Sequence, residues 1–147
     1  MTSGARSRRA GRAAVLGAAL LCVAAAGAPM RTIEKGIQSN IDEPRRVVVR
    51  TAGDWERLWT EHAGERARPE VDFAREMVVA VFLGSRPTAG FGVGIVGVRE
   101  EGGATIVAYR ETRPRPGTVA AQVITSPYAI AAIPKAPGDV KFEIAKE

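Results

Sequence analysis

The chain is short of the residues that usually carry chemistry. Its 147 residues include one cysteine, Cys22, and one histidine, His62. That scarcity excludes the ordinary zinc-ligand spacings, which need several His or Cys side chains. A serine nucleophile would need a base, and His62 stands near no recognisable nucleophile elbow. Acidic residues are missing from the first 28 positions, where Arg6, Arg8, Arg9 and Arg12 lie. The remaining 17 of the 21 basic residues face 16 acids, so the body of the chain is close to neutral. The basic pI of about 10.0 therefore reflects the leader, and the electrostatic footprint of a nucleic-acid binder is lacking. No apolar run is long enough to span a bilayer comfortably, and no internal repeat or second domain is visible.

What the first 28 residues do contain is an address. Residues 5–12 are positively charged, residues 13–26 are an apolar run of 14, and small residues continue to Ala28. This order predicts a secretory signal peptide, cleaved after Ala26 or Ala28, with Pro29 making the second site the less comfortable one. Cleavage would leave no membrane span and a secreted, periplasmic or cell-envelope protein. Arg8-Arg9 lacks the residues that follow a twin-arginine pair. Cys22 follows Ala19-Leu20-Leu21, and the bulky Leu21 argues against lipid attachment there. It reads as an apolar residue of the leader, and its loss with the leader would leave no disulfide or thiol chemistry.

Composition beyond the leader, with 46% hydrophobic and 25% charged residues overall, is that of one globular domain. Residues 29–44 are polar and broken by Gly36, Asn40 and Pro44. They predict a tether with one short strand at 32–37, leaving a β-rich domain over 45–147. Arg45–Arg50 is β-branched and predicts a strand. Thr51 and Asp54 fit a capping box. Trp55, Leu58, Trp59 and His62 then recur at helical spacing up to Gly64, so the tryptophans read as packing residues. Met77–Leu83 predicts a central strand, followed by strands at 91–98, 105–111, 119–125, 128–134 and 140–144, with Gly- and Pro-containing turns between them. The expected fold is α+β, a mainly antiparallel sheet or barrel-like domain with one amphipathic helix near its start.

Gly92–Gly97 matches the dinucleotide fingerprint by letter. The motif works only where its glycines open a helix, and residues 98–103 run instead into a turn. The shift of apolar positions from 93 and 95 to 96 and 98 predicts a bulged strand. No cofactor is expected.

The ordered series Trp55-x-x-Leu58-Trp59, Val71-Asp72-Phe73, Met77–Gly84, Pro87–Val93, Thr125–Tyr128 and Ile133–Lys135 resembles the PrcB family, over roughly residues 45–144. The resemblance implies an exported bacterial protein akin to an accessory subunit of a surface serine protease complex, with a protein partner and no catalytic residues of its own. Ala89 stands where the family often has glycine. The segment Arg86-Pro87-Thr88-Ala89-Gly90-Phe91 also looks like the Asn-Pro-Thr-Thr-Gly-aromatic loop of chagasin-type cysteine-protease inhibitors. A Pro-stiffened loop of this kind enters a cleft at low ordering cost. Its alternative role is a tight connection between central strands, with Phe91 facing the core. Candidate partner-binding residues are Arg86, Pro87, Thr88 and Phe91, with Arg113 and Arg115 as outliers. Thr125–Tyr128 reads as a structural corner. Accessory subunit, inhibitor and an enzyme of unrecognised type stay open. The inhibitor reading requires the loops at 86–91 and 113–117 to share one end of the domain.

Overall fold

A computed structural model describes residues 29–146. The leader, with its cleavage sites and Cys22, lies outside the described residues. Seven strands and one helix follow in the order β1 (Arg31–Gly36), β2 (Pro44–Val49), α1 (Ala52–Ala63), β3 (Glu76–Leu83), β4 (Gly92–Glu101), β5 (Ala104–Thr112), β6 (Tyr128–Pro134) and β7 (Val140–Ile144).

The strands form two sheets, ordered β1-β6-β3-β2 and β4-β5-β7. The α+β, sheet-rich expectation holds, and of its two forms the open one is observed: the two sheets do not close into a barrel. Every pair is antiparallel except β5 with β7. The exception follows from the path of the chain. It leaves β5, returns along β6 in the other sheet, and re-enters the second sheet in the direction of β5.

The apolar run Met77–Leu83 is continuous because β3 is covered on both faces. Val78, Ala80 and Phe82 pack under the helix with Trp55, Leu58 and Trp59, joined by Tyr128 and Ile130 of β6. Met77 and Val79 meet Val98 and Val107 of the second sheet, and Val81 and Leu83 meet Val93 and Tyr109. Helix, four-stranded sheet and three-stranded sheet therefore form three layers, with β3 and β6 in the middle one.

The helix forms where its spacing placed it. Thr51 Oγ1 accepts from the Asp54 N–H at 3.2 Å, and Gly64 ends the helix at φ 62°, its N–H donating to Thr60 O. Only half of the expected capping box forms, because the Asp54 carboxylate pairs with Arg57 instead of turning back. Trp55 Nε1 donates to Pro69 O at 3.0 Å and Trp59 Nε1 to Arg66 O at 2.8 Å. The tryptophans thus fill the core with their rings and pin the 64–75 connection with their N–H groups.

Two sequence expectations give way to tertiary pairing. The segment 29–44 is built into the domain: β1 pairs with β6 along its length, and Ser39 and Ile41 are buried. An edge strand needs few apolar residues, which is why the segment read as a tether. The strand expected at 119–125 does not form, and only Thr125 and Ser126 make isolated bridges. Both flanking strands are already full, β5 between β4 and β7 and β6 between β1 and β3, so no neighbouring edge is free. The fingerprint-like Gly92–Gly97 lies wholly inside β4. Its register shifts between Ile95 and Gly97, leaving Val96 as the extra, outward residue of a bulge.

Burial sets a first test. Ile130 is fully buried between helix and sheet, so Ile130→Ala should lower stability by about 2–5 kcal/mol. Val96→Ala, at the exposed bulge, should stay within about 0.5 kcal/mol. Urea unfolding of the two variants measures both, and equal losses would contradict the three-layer packing.

Candidate functional site

The antiparallel registers bring the ends of β1, β3 and β5 and the starts of β2, β4 and β6 to one end of the domain. Two loops dominate that end, 84–91 between β3 and β4 and 113–127 between β5 and β6. The first is set by Gly84, whose φ of 75° and approach to Pro44 and Asp42 leave no room for a Cβ. The second is long for a connection inside a compact domain, a length more often found in binding loops than in spacers.

The loops are joined along their length. Arg86 and Thr125 exchange backbone hydrogen bonds at 2.7 and 2.9 Å, and the Ala89 N–H donates to Ala121 O at 3.0 Å. Thr125 Oγ1 donates to Thr88 O at 3.1 Å. Gly90, at φ 94°, sits so close to Pro114 that a Cβ would fall 2.9 Å from its ring. The 86–91 and 113–117 segments therefore do share one end of the domain.

Each candidate residue has a place in this platform. Pro87, Arg113 and Arg115 are exposed, and Arg86, Thr88 and Phe91 are half-buried. The Arg86 guanidinium lies 5.7 Å from the centre of the Phe91 ring. Phe91 is thus neither a core residue nor a free anchor. The Thr88 hydroxyl donates to Ala89 O. Arg113 lies 3.7 Å from Glu111, and Arg115 O accepts from the Thr118 N–H across the turn at Pro116-Gly117. Thr125, Ser126 and Tyr128 are buried. The Ser126 backbone bonds Ile37 and Ser39, and Pro127 O accepts from the Leu83 N–H, the structural corner expected of 125–128.

Three residues that sequence reasoning passed over are the most exposed aliphatics of the platform. Val119 is 102% exposed, Ile124 69% and Val123 52%. Their β-branched character was the signal, and it was read as a strand because propensity does not reveal whether a partner strand exists.

A second constellation was also invisible in the sequence. His62 Nε2 lies 3.0 Å from Glu34 Oε2, and His62 Nδ1 lies 2.8 Å from Ser39 Oγ. The Ser39 hydroxyl accepts from the Ile41 N–H at 3.0 Å. Arg66 clamps Glu34 through both terminal nitrogens at 2.7 and 3.1 Å. One proton arrangement satisfies every atom: Nε2–H donates to Glu34, and Ser39 donates to Nδ1. The imidazole is neutral in that arrangement. Burial pushes the His62 pKa down, against the pull of Glu34, among the rings of Tyr128, Trp59 and Phe82. Arg66 and then His62 hold Glu34 at about 2 despite the opposing effect of burial. The trio has the composition of a hydrolase triad, yet Ser39 is buried and both its hydrogen-bonding roles are filled. It locks β1 and the 39–41 turn onto the last turn of the helix.

Among the described residues no three His, Cys, Asp or Glu side chains gather as a metal site would require, and no helix is long and apolar enough to cross a membrane.

Fold and site together define a three-layer α+β domain whose most prominent surface is a loop platform at one end. Residues 77–134, from β3 through β6 and including both platform loops, match the family model described as PrcB C-terminal. The match falls inside the 45–144 over which the motifs resemble the PrcB family, and is narrower than it. No curated protein and no solved structure matches the chain.

The buried network makes stability depend on acid in two steps. The folded pKa of His62 lies below its ordinary 6.5, so the unfolded chain binds the proton first. Stability is therefore full above about pH 6.5 and falls as the pH drops below it. Glu34, lowered from 4.5 to about 2, contributes stability that is full above its ordinary value and is lost as the pH falls from 4.5 towards 2. Urea midpoints recorded from pH 8 to pH 3 should be level, then decline, then decline more steeply. Glu34→Gln should shrink the lower step, and an unchanged lower step in that variant would remove Glu34 from the lock.

Proposed function

We propose that the chain is an exported, non-enzymatic accessory protein that docks through its loop platform onto a secreted or cell-envelope protease. The observation that carries this reading is the exposure of Val119, Val123 and Ile124 on a loop hydrogen-bonded to 86–91 at Ala121 and Thr125. A partner that covers these aliphatics gains apolar burial without having to order a free loop. The PrcB C-terminal domain points to a protease complex, and the leader read in the sequence supports export. In this reading Arg86, Pro87, Arg113 and Arg115 are the polar rim around the aliphatic contact, and no residue of the chain acts on a substrate. A second reading, inhibition of a protease by insertion of 86–91, is favoured by the close packing of Gly90 on Pro114, which sets both loops side by side.

Tagged protein captured from the producing cell, with bound proteins identified by mass and assayed for peptidase activity, tests both readings. A stoichiometric peptidase that keeps its activity in the complex is the expected result, and one that loses it selects inhibition. Val123→Asp combined with Ile124→Asp should abolish capture and leave the unfolding free energy within about 0.5 kcal/mol of the parent, since both side chains are solvated. Undiminished capture by that variant would move the contact off the platform.

A further inference from the structure

A cavity of about 210 Å³ opens beside the platform, between the adjoining ends of β2, β3 and β5. Val81 and Leu83 supply apolar lining, and Arg46, Arg86, Tyr109 and Glu111 supply the polar groups. This is smaller than the ~300 Å³ at which sites for drug-sized ligands begin, so the space suits a group the size of one side chain.

The cavity gathers two of the five described arginines that make no ion pair, the others being Arg50, Arg110 and Arg115. Arg31, Arg57, Arg66, Arg75 and Arg99 are each paired with a carboxylate. Arg45, which also lines the cavity, is held by both oxygens of Glu61 at 2.9 and 2.8 Å. Arg46 and Arg86 reach no carboxylate among the described residues. Arg46 Nη2 donates to the Tyr109 hydroxyl at 2.6 Å, and its guanidinium lies 5.4 Å from the Tyr109 ring centre. Arg86 rests near Phe91, and its guanidinium makes no hydrogen bond among the described residues. A guanidinium carries five N–H donors, so most of the donors on these two groups remain available at one cavity. The single acid there, Glu111, is shared with Arg113 outside. Two unpaired cations against one shared carboxylate leave a site that suits a monoanion. A dianion such as phosphate would exceed the net positive charge these groups offer.

We propose that this cavity binds a monocarboxylate with a short apolar body, the carboxylate held by Arg46 and Arg86 and the hydrocarbon placed against Val81 and Leu83. The same chemistry comes from a small free acid or from the C-terminal carboxylate of a peptide. The proposal is independent of docking on a protease, and its test requires no partner protein.

The full chain is titrated with sodium butyrate while the arginine Nε–H resonances are followed by NMR. Saturable shifts at Arg46 and Arg86 are expected, with none from butyramide. Arg86→Gln should weaken butyrate about tenfold or more, through loss of a charge-assisted contact, and Glu111→Gln should tighten it. Displacement of butyrate by an Ala-Val dipeptide but not by its amide assigns a peptide terminus. A site that takes butyrate alone is one for a free acid. The proposal is overturned by the absence of saturable shifts, by an equal response to butyramide, or by unchanged affinity in a folded Arg86→Gln protein. It is overturned equally by inorganic phosphate displacing butyrate at lower concentration than a second carboxylate does. Should Arg86→Gln fail to fold, Glu111→Gln decides: affinity that does not rise removes the charge argument.

Discussion

Everything in this domain hangs on two adjacent strands that are covered on both faces. β3 and β6 run antiparallel with seven matched positions from Glu76↔Pro134 to Phe82↔Tyr128. Alternate residues of the pair point into the helix layer and into the second sheet. A one-residue slip would exchange the two sets and set Phe82 and Tyr128 against the second sheet, so the register is tightly specified. The alanines of β6 face both layers, and at Ala129 and Ala131 the second sheet packs on side chains that hold little volume. Each CH₂ buried in this double interface contributes about 0.8 kcal/mol.

That arrangement has a consequence at the loop end. With β5 and β6 each flanked on both sides, the 15-residue connection between them finds no edge on either strand it joins. Its backbone is satisfied through the 84–91 loop instead, at Arg86, Ala89 and Thr125, and the aliphatic side chains of 119, 123 and 124 are left outside. The platform is therefore a by-product of strand order. It joins two loops that lie 22 residues or more apart in sequence, and its aliphatic side chains stay exposed.

The polar interior follows a different logic. Among the described residues most arginines sit in ion pairs at the surface, each worth little because water screens the attraction and the side chains lose freedom. The exception is the chain Arg66–Glu34–His62–Ser39–Ile41. There a buried imidazole is satisfied at both nitrogens and the carboxylate is shared between a guanidinium and a ring N–H. Leaving one of these buried groups unpaired would cost more than any surface pair contributes. The network thus ties β1, a strand with little apolar surface, to a helix that is distant in sequence.

Much of the architecture was legible because it depends on local pattern. The helical spacing of Trp55, Leu58, Trp59 and His62, the uninterrupted run of Met77–Leu83, and the apolar shift at Val96 each follow from side-chain period, and each element formed where it was read. Chemistry that depends on neighbours was not legible. Val119–Thr125 has the composition of a strand, but strand formation needs a free edge, which only the order of the sheets decides. Glu34, Ser39 and His62 are spaced 5 and 23 residues apart, and nothing local marks them as partners. Residues 29–44 look like a tether because an edge strand can be polar. By itself the sequence determined period, turn positions and a likeness to the PrcB family, since these are properties of neighbouring residues and ordered motifs. Only the tertiary structure decided which strands fill each other's edges, which loops meet, and which charges are left without a partner, because those outcomes depend on contacts between residues far apart along the chain.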